Sequence, residues 1–118
     1  MLSKRNRLLS DFDFRRVRKV GERFDTSYFS LFIARSKKDI PARFGFVISL
    51  KVSKSAAKRN RVRRVLTSEV EKALPQIAGG VEAAFFVRIR AVGADVQELR
   101  KQVRRTFREA GILKEENT

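Results

Sequence analysis

Arg59-Asn60-Arg61, followed by Val62-Arg63-Arg64, places guanidinium forks and one amide at helical spacing. Guanidinium groups match phosphate oxygens bidentately, and an asparagine amide both donates and accepts. From Lys51 through Arg64 the chain carries seven cations and no acid. The segment to Ala57 is rich in Ser, Ala and Lys and reads as a loop; from Lys58 a helical period sets in. Val62, Val65, Leu66, Val70 and Ala73 share one arc at 3.6 residues per turn, while Asn60, Arg64 and Thr67 lie together opposite, flanked by Arg61 and Arg63. Such a face can be merely solvated, and a helix-entry asparagine can be merely a cap. Two features favour an anionic partner. Signs do not mix at i,i+4 until Glu69 and Glu71. Crowding Lys58, Arg59, Arg61, Arg63 and Arg64 into two turns also costs self-repulsion that a polyanion relieves.

What is absent is as informative. With no His and no Cys, the commonest general base, the thiolate nucleophile, disulfides and cysteine zinc sites are all lacking. Asp11 and Asp13 form the only close aspartate pair, and the first turn of a helix suits them better than a metal site. Gly79-Gly80 is a turn, since no Lys-Ser/Thr follows to make it a phosphate loop. The chain is therefore poorly equipped for chemistry of its own, and an independent nuclease is disfavoured. Its 28 Lys+Arg against 13 Asp+Glu give a net charge of +15. Nucleic acid is the expected partner rather than membrane, for no long apolar run or amphipathic anchor appears. No apolar stretch follows Lys4-Arg5-Asn6-Arg7 to make a secretory signal, so the cytoplasm is the expected compartment.

The elements that must position these residues can be read in order. Residues 1–9 are expected as a basic, loosely ordered tail. Ser10 caps a helix over 11–20, with Phe14 and Val17 inward and Gly21 as its stop. Residues 23–35 alternate with period two, Phe29, Leu31 and Ile33 against Tyr28, Ser30, Phe32 and Ala34. After a turn through Pro41, residues 42–50 set Phe44, Phe46, Ile48 and Leu50 against the small face of Gly45, Val47 and Ser49. These two strands read as an antiparallel hairpin. The basic helix, 57–74, stops before Pro75; a strand over 81–90 follows. Asp95 caps a last helix with Glu98 at the box position, Leu99, Val103, Phe107 and Ala110 form its apolar stripe, and Gly111 ends it. Residues 112–118 read as a second flexible tail. The expectation is a single RNA-binding α+β domain over 1–118, an α-β sandwich of order α-β-β-α-β-α, with room for a short extra strand at Arg23-Phe24. Phe14, Phe32 and Tyr28 are either ordinary core or the lining of a groove against Gly45, Val47 and Ser49, as in proteins that stack single-stranded bases.

These residues resemble the protein subunit of bacterial ribonuclease P. Arg59-Asn60-Arg61 with Val62-Arg63-Arg64 looks like the RNR signature of that family. Gly45-Phe46-Val47-Ile48-Ser49, Lys51 and Ala56 resemble its strand and loop leading into the helix. Arg7-Leu8, Asp13-Phe14-Arg15-Arg16-Val17 and Gly21 resemble its first helix, so the likeness spans about residues 4–110. It implies a left-handed β-α-β crossover around the RNR helix and a small basic protein that joins a catalytic RNA. That ribonucleoprotein removes the 5′ leader of precursor tRNA by Mg2+-dependent hydrolysis. The RNA is expected to supply the active site and, with the substrate, to hold the Mg2+. No catalytic residue, protein metal site, protein partner or membrane contact is expected of the chain itself. By position, the resemblance assigns RNA contacts to Lys51, Lys54, Lys58, Arg59, Asn60, Arg61, Arg63 and Arg64. It assigns the leader cleft to Phe14, Arg18, Phe32, Val47 and Ser49. Two positions depart from the family: Arg18 stands where many members have a second aromatic, and Thr67 where they have an arginine. Glu69, inside the apolar arc, has no account in the sequence beyond a nearby cation as partner. The alternative is a ribosomal or ribosome-assembly RNA binder; a transcription factor is weaker, since no helix-turn-helix spacing flanks the basic helix.

Overall fold

A computed structural model describes residues 2–37 and 39–114. Its elements are α1 (Asp11–Val20), β1 (Glu22–Asp25), β2 (Phe29–Arg35), β3 (Arg43–Val47), α2 (Ala56–Ala73), β4 (Val81–Val87) and α3 (Val96–Ala110). Local chemistry sets the helix starts. Ser10 Oγ accepts from the Asp13 N–H at 3.1 Å, Ser55 Oγ from Lys58 N–H at 3.3 Å, and Asp95 Oδ1 from Gln97 and Glu98 N–H at 2.8 and 3.1 Å. Gly111 ends α3 at φ 67°, the left-handed cap that glycine adopts without strain. The extra strand at Arg23-Phe24 is β1, split from β2 by a turn at residues 26–28, where Thr26 Oγ1 accepts from the Tyr28 and Phe29 N–H groups at 3.0 and 3.1 Å.

The four strands form one sheet in the order β1-β2-β4-β3. β1–β2 and β2–β4 pair antiparallel, while β3 and β4 pair in parallel and are joined through α2. The expected hairpin of β2 with β3 does not form, because β4 lies between them. The reason is burial: six of the seven residues of β4 are buried, so its backbone N–H and C=O groups need strand partners along both edges. β3 also ends earlier than expected, at Val47, and Leu50 and Ile89, beyond the ends of β3 and β4, are 66% and 67% exposed.

Two apolar layers result. On one face Phe29, Leu31, Ile33, Phe44 and Phe85 pack against Val62, Leu66 and Val70 of α2 and Leu99, Val103 and Phe107 of α3. Phe85 is central there, with ring centroids 5.1 Å from Phe29, 5.2 Å from Phe46 and 6.2 Å from Phe107. On the other face Phe32, Ala34 and Ala84 pack under Val17 of α1, Leu8 and Phe14. Residues 2–9, expected loose, are pinned. Leu2 and Leu8 are buried, the Leu8 N–H donates to Phe44 O at 2.9 Å, and Asn6 Nδ2 donates to Ala42 O at 2.8 Å. Residues 112–114 are likewise held, with Ile112 fully buried and Leu113 bridged to Ile77; the remainder of that expected tail lies outside the described residues.

Candidate nucleic-acid interface

α2 presents two unlike faces. Val62, Leu66, Glu69 and Val70 are buried, while Lys58, Asn60, Arg61 and Arg64 are exposed and Arg63 and Thr67 half-buried. Among the described residues, Lys58, Arg61 and Arg64 make no ion pair, so their cationic groups face solvent unneutralised. Arg63 Nη1 donates to Asn60 Oδ1 at 2.8 Å, which orients the guanidinium and leaves the amide NH2 of Asn60 as a donor. Arg59 behaves differently from its neighbours. It is half-buried, and its Nη1 donates to Ser53 O at 2.7 Å, bracing the loop that carries exposed Lys51 and Lys54. Val52, buried beneath, anchors that loop from the other side.

Glu69 explains how this face is held. It is 3% exposed, and its Oε1 accepts from Arg104 Nη1 at 2.8 Å while Oε2 lies 4.0 Å from Arg100 Nε. Two arginines of α3 thus clamp a carboxylate on the buried side of α2. The pairing explains a charge in an apolar arc, and it engages Arg100 and Arg104 of α3 with Glu69 while Lys58, Arg61 and Arg64 of α2 stay unpaired among the described residues.

The second surface is the sheet face that α1 crosses. Phe14 lies over Gly45, where an added Cβ would come within 2.2 Å of its ring. Arg16 and Arg43 close on buried Glu82, Arg16 Nη2 at 2.8 Å, and Asp13 joins them at 3.3 Å from Arg16. Burial alone would push the Glu82 carboxyl up, but hydrogen bonds from Arg16 and Arg43 outweigh it and hold the group below its ordinary range. Arg16 is raised in turn, chiefly by Glu82. This knot fixes α1 over one half of the face and leaves the other half open.

The open half carries Phe86, whose strand position is opposite Ser30 on β2 and Val47 on β3. Arg18 covers it, its guanidinium carbon 4.9 Å from the Phe86 centroid and 5.9 Å from that of Phe32. Arg23 stands 5.5 Å from Phe32 on another side, and Phe32 and Phe86 meet edge to face at 5.4 Å. Phe32 is consequently only 7% exposed and is not an open stacking platform. Of the five cleft residues named from the sequence, Phe14, Arg18, Phe32 and Val47 lie on this face, with Phe32 beneath its surface, while Ser49 is exposed in the loop that follows β3. Beside them Asp25 Oδ1 accepts from Ser30 Oγ at 2.6 Å, Arg23 Nε at 2.9 Å and Arg88 Nη2 at 3.0 Å. Ser30 and Arg23 hold the Asp25 carboxyl below its ordinary range. Phe86, Arg23 and Arg88 were not assigned to this face from the sequence. The signal was the 81–90 alternation, which sets Phe86 and Arg88 together; it became spatial only once β4 was placed beside β2.

No helix among the described residues is long and apolar enough to cross a membrane. Nor does any group of three or more acidic side chains among them approach metal-binding geometry.

Residues 2–111 match the family model described as Ribonuclease P. A ribonuclease P protein component from a Pseudanabaena strain is 34% identical over 113 residues, covering 96% of this chain and 97% of the relative. One from Clostridioides difficile is 31% identical over 106 residues, covering 89% and 91%. The fold is shared with the RNase P protein of Staphylococcus aureus (TM-score 0.83, 20% identity, 93% and 99% covered). It is shared also with that of Thermotoga maritima (TM-score 0.77, 21% identity, 89% and 97% covered).

Proposed function

We infer that this chain, which belongs to the ribonuclease P protein family, is the protein subunit of ribonuclease P, the ribonucleoprotein endoribonuclease of tRNA 5′ maturation. Its partner is a ribonuclease P RNA, and precursor tRNA is the substrate of the assembled particle. The observation that carries the docking mode is the unneutralised α2 face, Lys58, Asn60, Arg61 and Arg64, held in place from behind by Glu69 and α3. It docks on the catalytic RNA, with Arg63 aligned by Asn60 and with Lys51 and Lys54 reaching phosphates from a loop that Arg59 braces. The sheet face receives the single-stranded 5′ leader: Phe14, Val47, Ser49 and Phe86 offer contact, and Arg18 offers a guanidinium plane on which a base can stack or a phosphate can bind.

The donor set does not fit a protein-bound metal. The chain has no His or Cys, and Asp13, Asp25, Glu69 and Glu82 are all engaged by guanidinia. The Mg2+ of the reaction is assigned to the RNA and substrate, and the particle to the cytoplasm. The alternative of a ribosomal RNA binder is not favoured, since relatives covering nearly the whole chain carry the ribonuclease P description. Purifying the tagged protein from its own cells and sequencing the bound RNA tests the reading. Enrichment of a ribonuclease P RNA is expected; ribosomal RNA in its place overturns it.

A further inference from the structure

β3 is an edge strand, and the N-terminal segment covers only its first half, through the Leu8–Phe44 hydrogen bond. Past that bond a groove of about 320 Å3 opens, its walls made by Arg7, Leu8, Phe14, Phe46, Arg63 and Thr67. Phe14 comes from the α1 side of the sheet and Phe46 from the α2 side. Both rings are half-buried, so each still has surface free. No carboxylate lines the groove, and its two cations come from separate elements, the N-terminal segment and α2. The Arg7 side chain has no hydrogen bond or ion pair among the described residues, and Arg63 uses one Nη on Asn60 while its other N–H groups stay available. Gly45 seats the Phe14 ring that forms one wall, and Thr67 brings little bulk to the α2 side.

An apolar slot with aromatic walls and a guanidinium at each side has the chemistry of a single unstacked nucleotide: the base enters the slot and the phosphates take the guanidinia. A neutral peptide strand added to β3 would leave both cations unmatched. We propose that this groove binds one unpaired nucleotide of RNA. It shares Phe14 with the sheet face and Arg63 with α2, so the bound nucleotide bridges the two surfaces. The proposal rests on the RNA-binding reading above and adds a site to it.

The chain has no cysteine, so Thr67→Cys provides a unique point for an aryl-azide photocrosslinker, with Arg64→Cys as a control on the open α2 face. Each labelled protein is assembled with ribonuclease P RNA and leader-bearing precursor tRNA, irradiated, and the modified nucleotides mapped. Position 67 is expected to label one or two unpaired nucleotides. Labelling from 64 with none from 67, or labelling of duplex alone from 67, overturns the groove while leaving the α2 reading intact. Failure at both positions overturns both. In parallel, Thr67→Trp fills the slot and is expected to weaken the RNA complex about tenfold, the loss of roughly one stacked base, with the thermal midpoint unchanged. Undiminished affinity in a folded Thr67→Trp protein contradicts the proposal.

Discussion

The guanidinium of Arg18 rests 4.9 Å above the centroid of Phe86, making a cation–π lid over the open half of the sheet. No carboxylate pairs with Arg18 among the described residues, unlike Arg23 and Arg88, which share Asp25. The ring therefore serves as a cushion that aims a charged plane at solvent, contributing about 0.5–1 kcal/mol at such an exposed site. Arg18→Ala is expected to weaken binding of leader-bearing precursor tRNA a few-fold and to lower the salt slope by about 0.7, one single-strand phosphate, without affecting a leaderless substrate. Arg18→Phe lowers the slope equally while recovering affinity through stacking. Titrations at several salt concentrations check both; an unchanged slope in Arg18→Ala removes the contact.

On α2, Arg64→Ala is expected to lower the salt dependence of binding to ribonuclease P RNA by about one phosphate's worth. Arg59→Ala acts differently, because its guanidinium holds Ser53 O at 2.7 Å. Faster amide exchange across 51–55 accompanies its loss of affinity, and hydrogen-exchange mass spectrometry separates the two variants.

Removing the Glu69 carboxylate leaves Arg100 and Arg104 facing an apolar arc. Arg104 is about half exposed and can rehydrate, which limits the cost, so Glu69→Ala is expected to lose about 1–3 kcal/mol. Glu69→Leu refills the volume and lies closer to the parent in urea denaturation. Equal losses in the two variants would mean the arginine clamp, rather than the volume, sets the cost.

Glu82 sets an acid limit. Its folded carboxyl titrates below its ordinary 4.5, so the stability it supplies is complete above that value and is lost as pH falls through the folded value. The thermal midpoint of the parent should drop below about pH 4.5 more steeply than that of Glu82→Gln, and the two curves should converge in acid. Parallel curves from pH 6 to 3 would remove Glu82 from this role.

Two glycines are required for space rather than for backbone freedom. At Gly21, where φ is −77°, a Cβ would meet the Val17 carbonyl oxygen at 2.4 Å and Ile33 backbone at 3.0 Å, neither of which can step aside. At Gly45 it would meet the Phe14 ring, which can swing away. Gly21→Ala should therefore destabilise more than Gly45→Ala, each by about 1–3 kcal/mol, with Gly45→Ala showing the larger loss of leader affinity.

Local signals carried much of this architecture. Ser10 and Asp95 cap as their types require, and the arc of Val62, Leu66 and Val70 lies where a 3.6-residue period puts it. Long-range relations were not legible. Nothing local says that β4 inserts between β2 and β3, and without that Phe86 has no place in the cleft. Leu2 and Leu8, isolated among cations, make no period, so their packing against β3 was invisible. Glu69 broke the pattern of its helix because its partners come from α3, 31 and 35 residues away. On α2, types and spacing were enough to place Lys58, Asn60, Arg61 and Arg64 on the exposed face, whereas Arg59's structural bond to Ser53 required coordinates.

The most direct test of the account is cleavage of precursor tRNA by ribonuclease P RNA at low Mg2+, with and without this protein. A rate well above that of RNA alone, reduced by Arg64→Ala and restored by raising Mg2+, is the predicted result. A rate equal to that of RNA alone, with a folded protein present in excess, would contradict it.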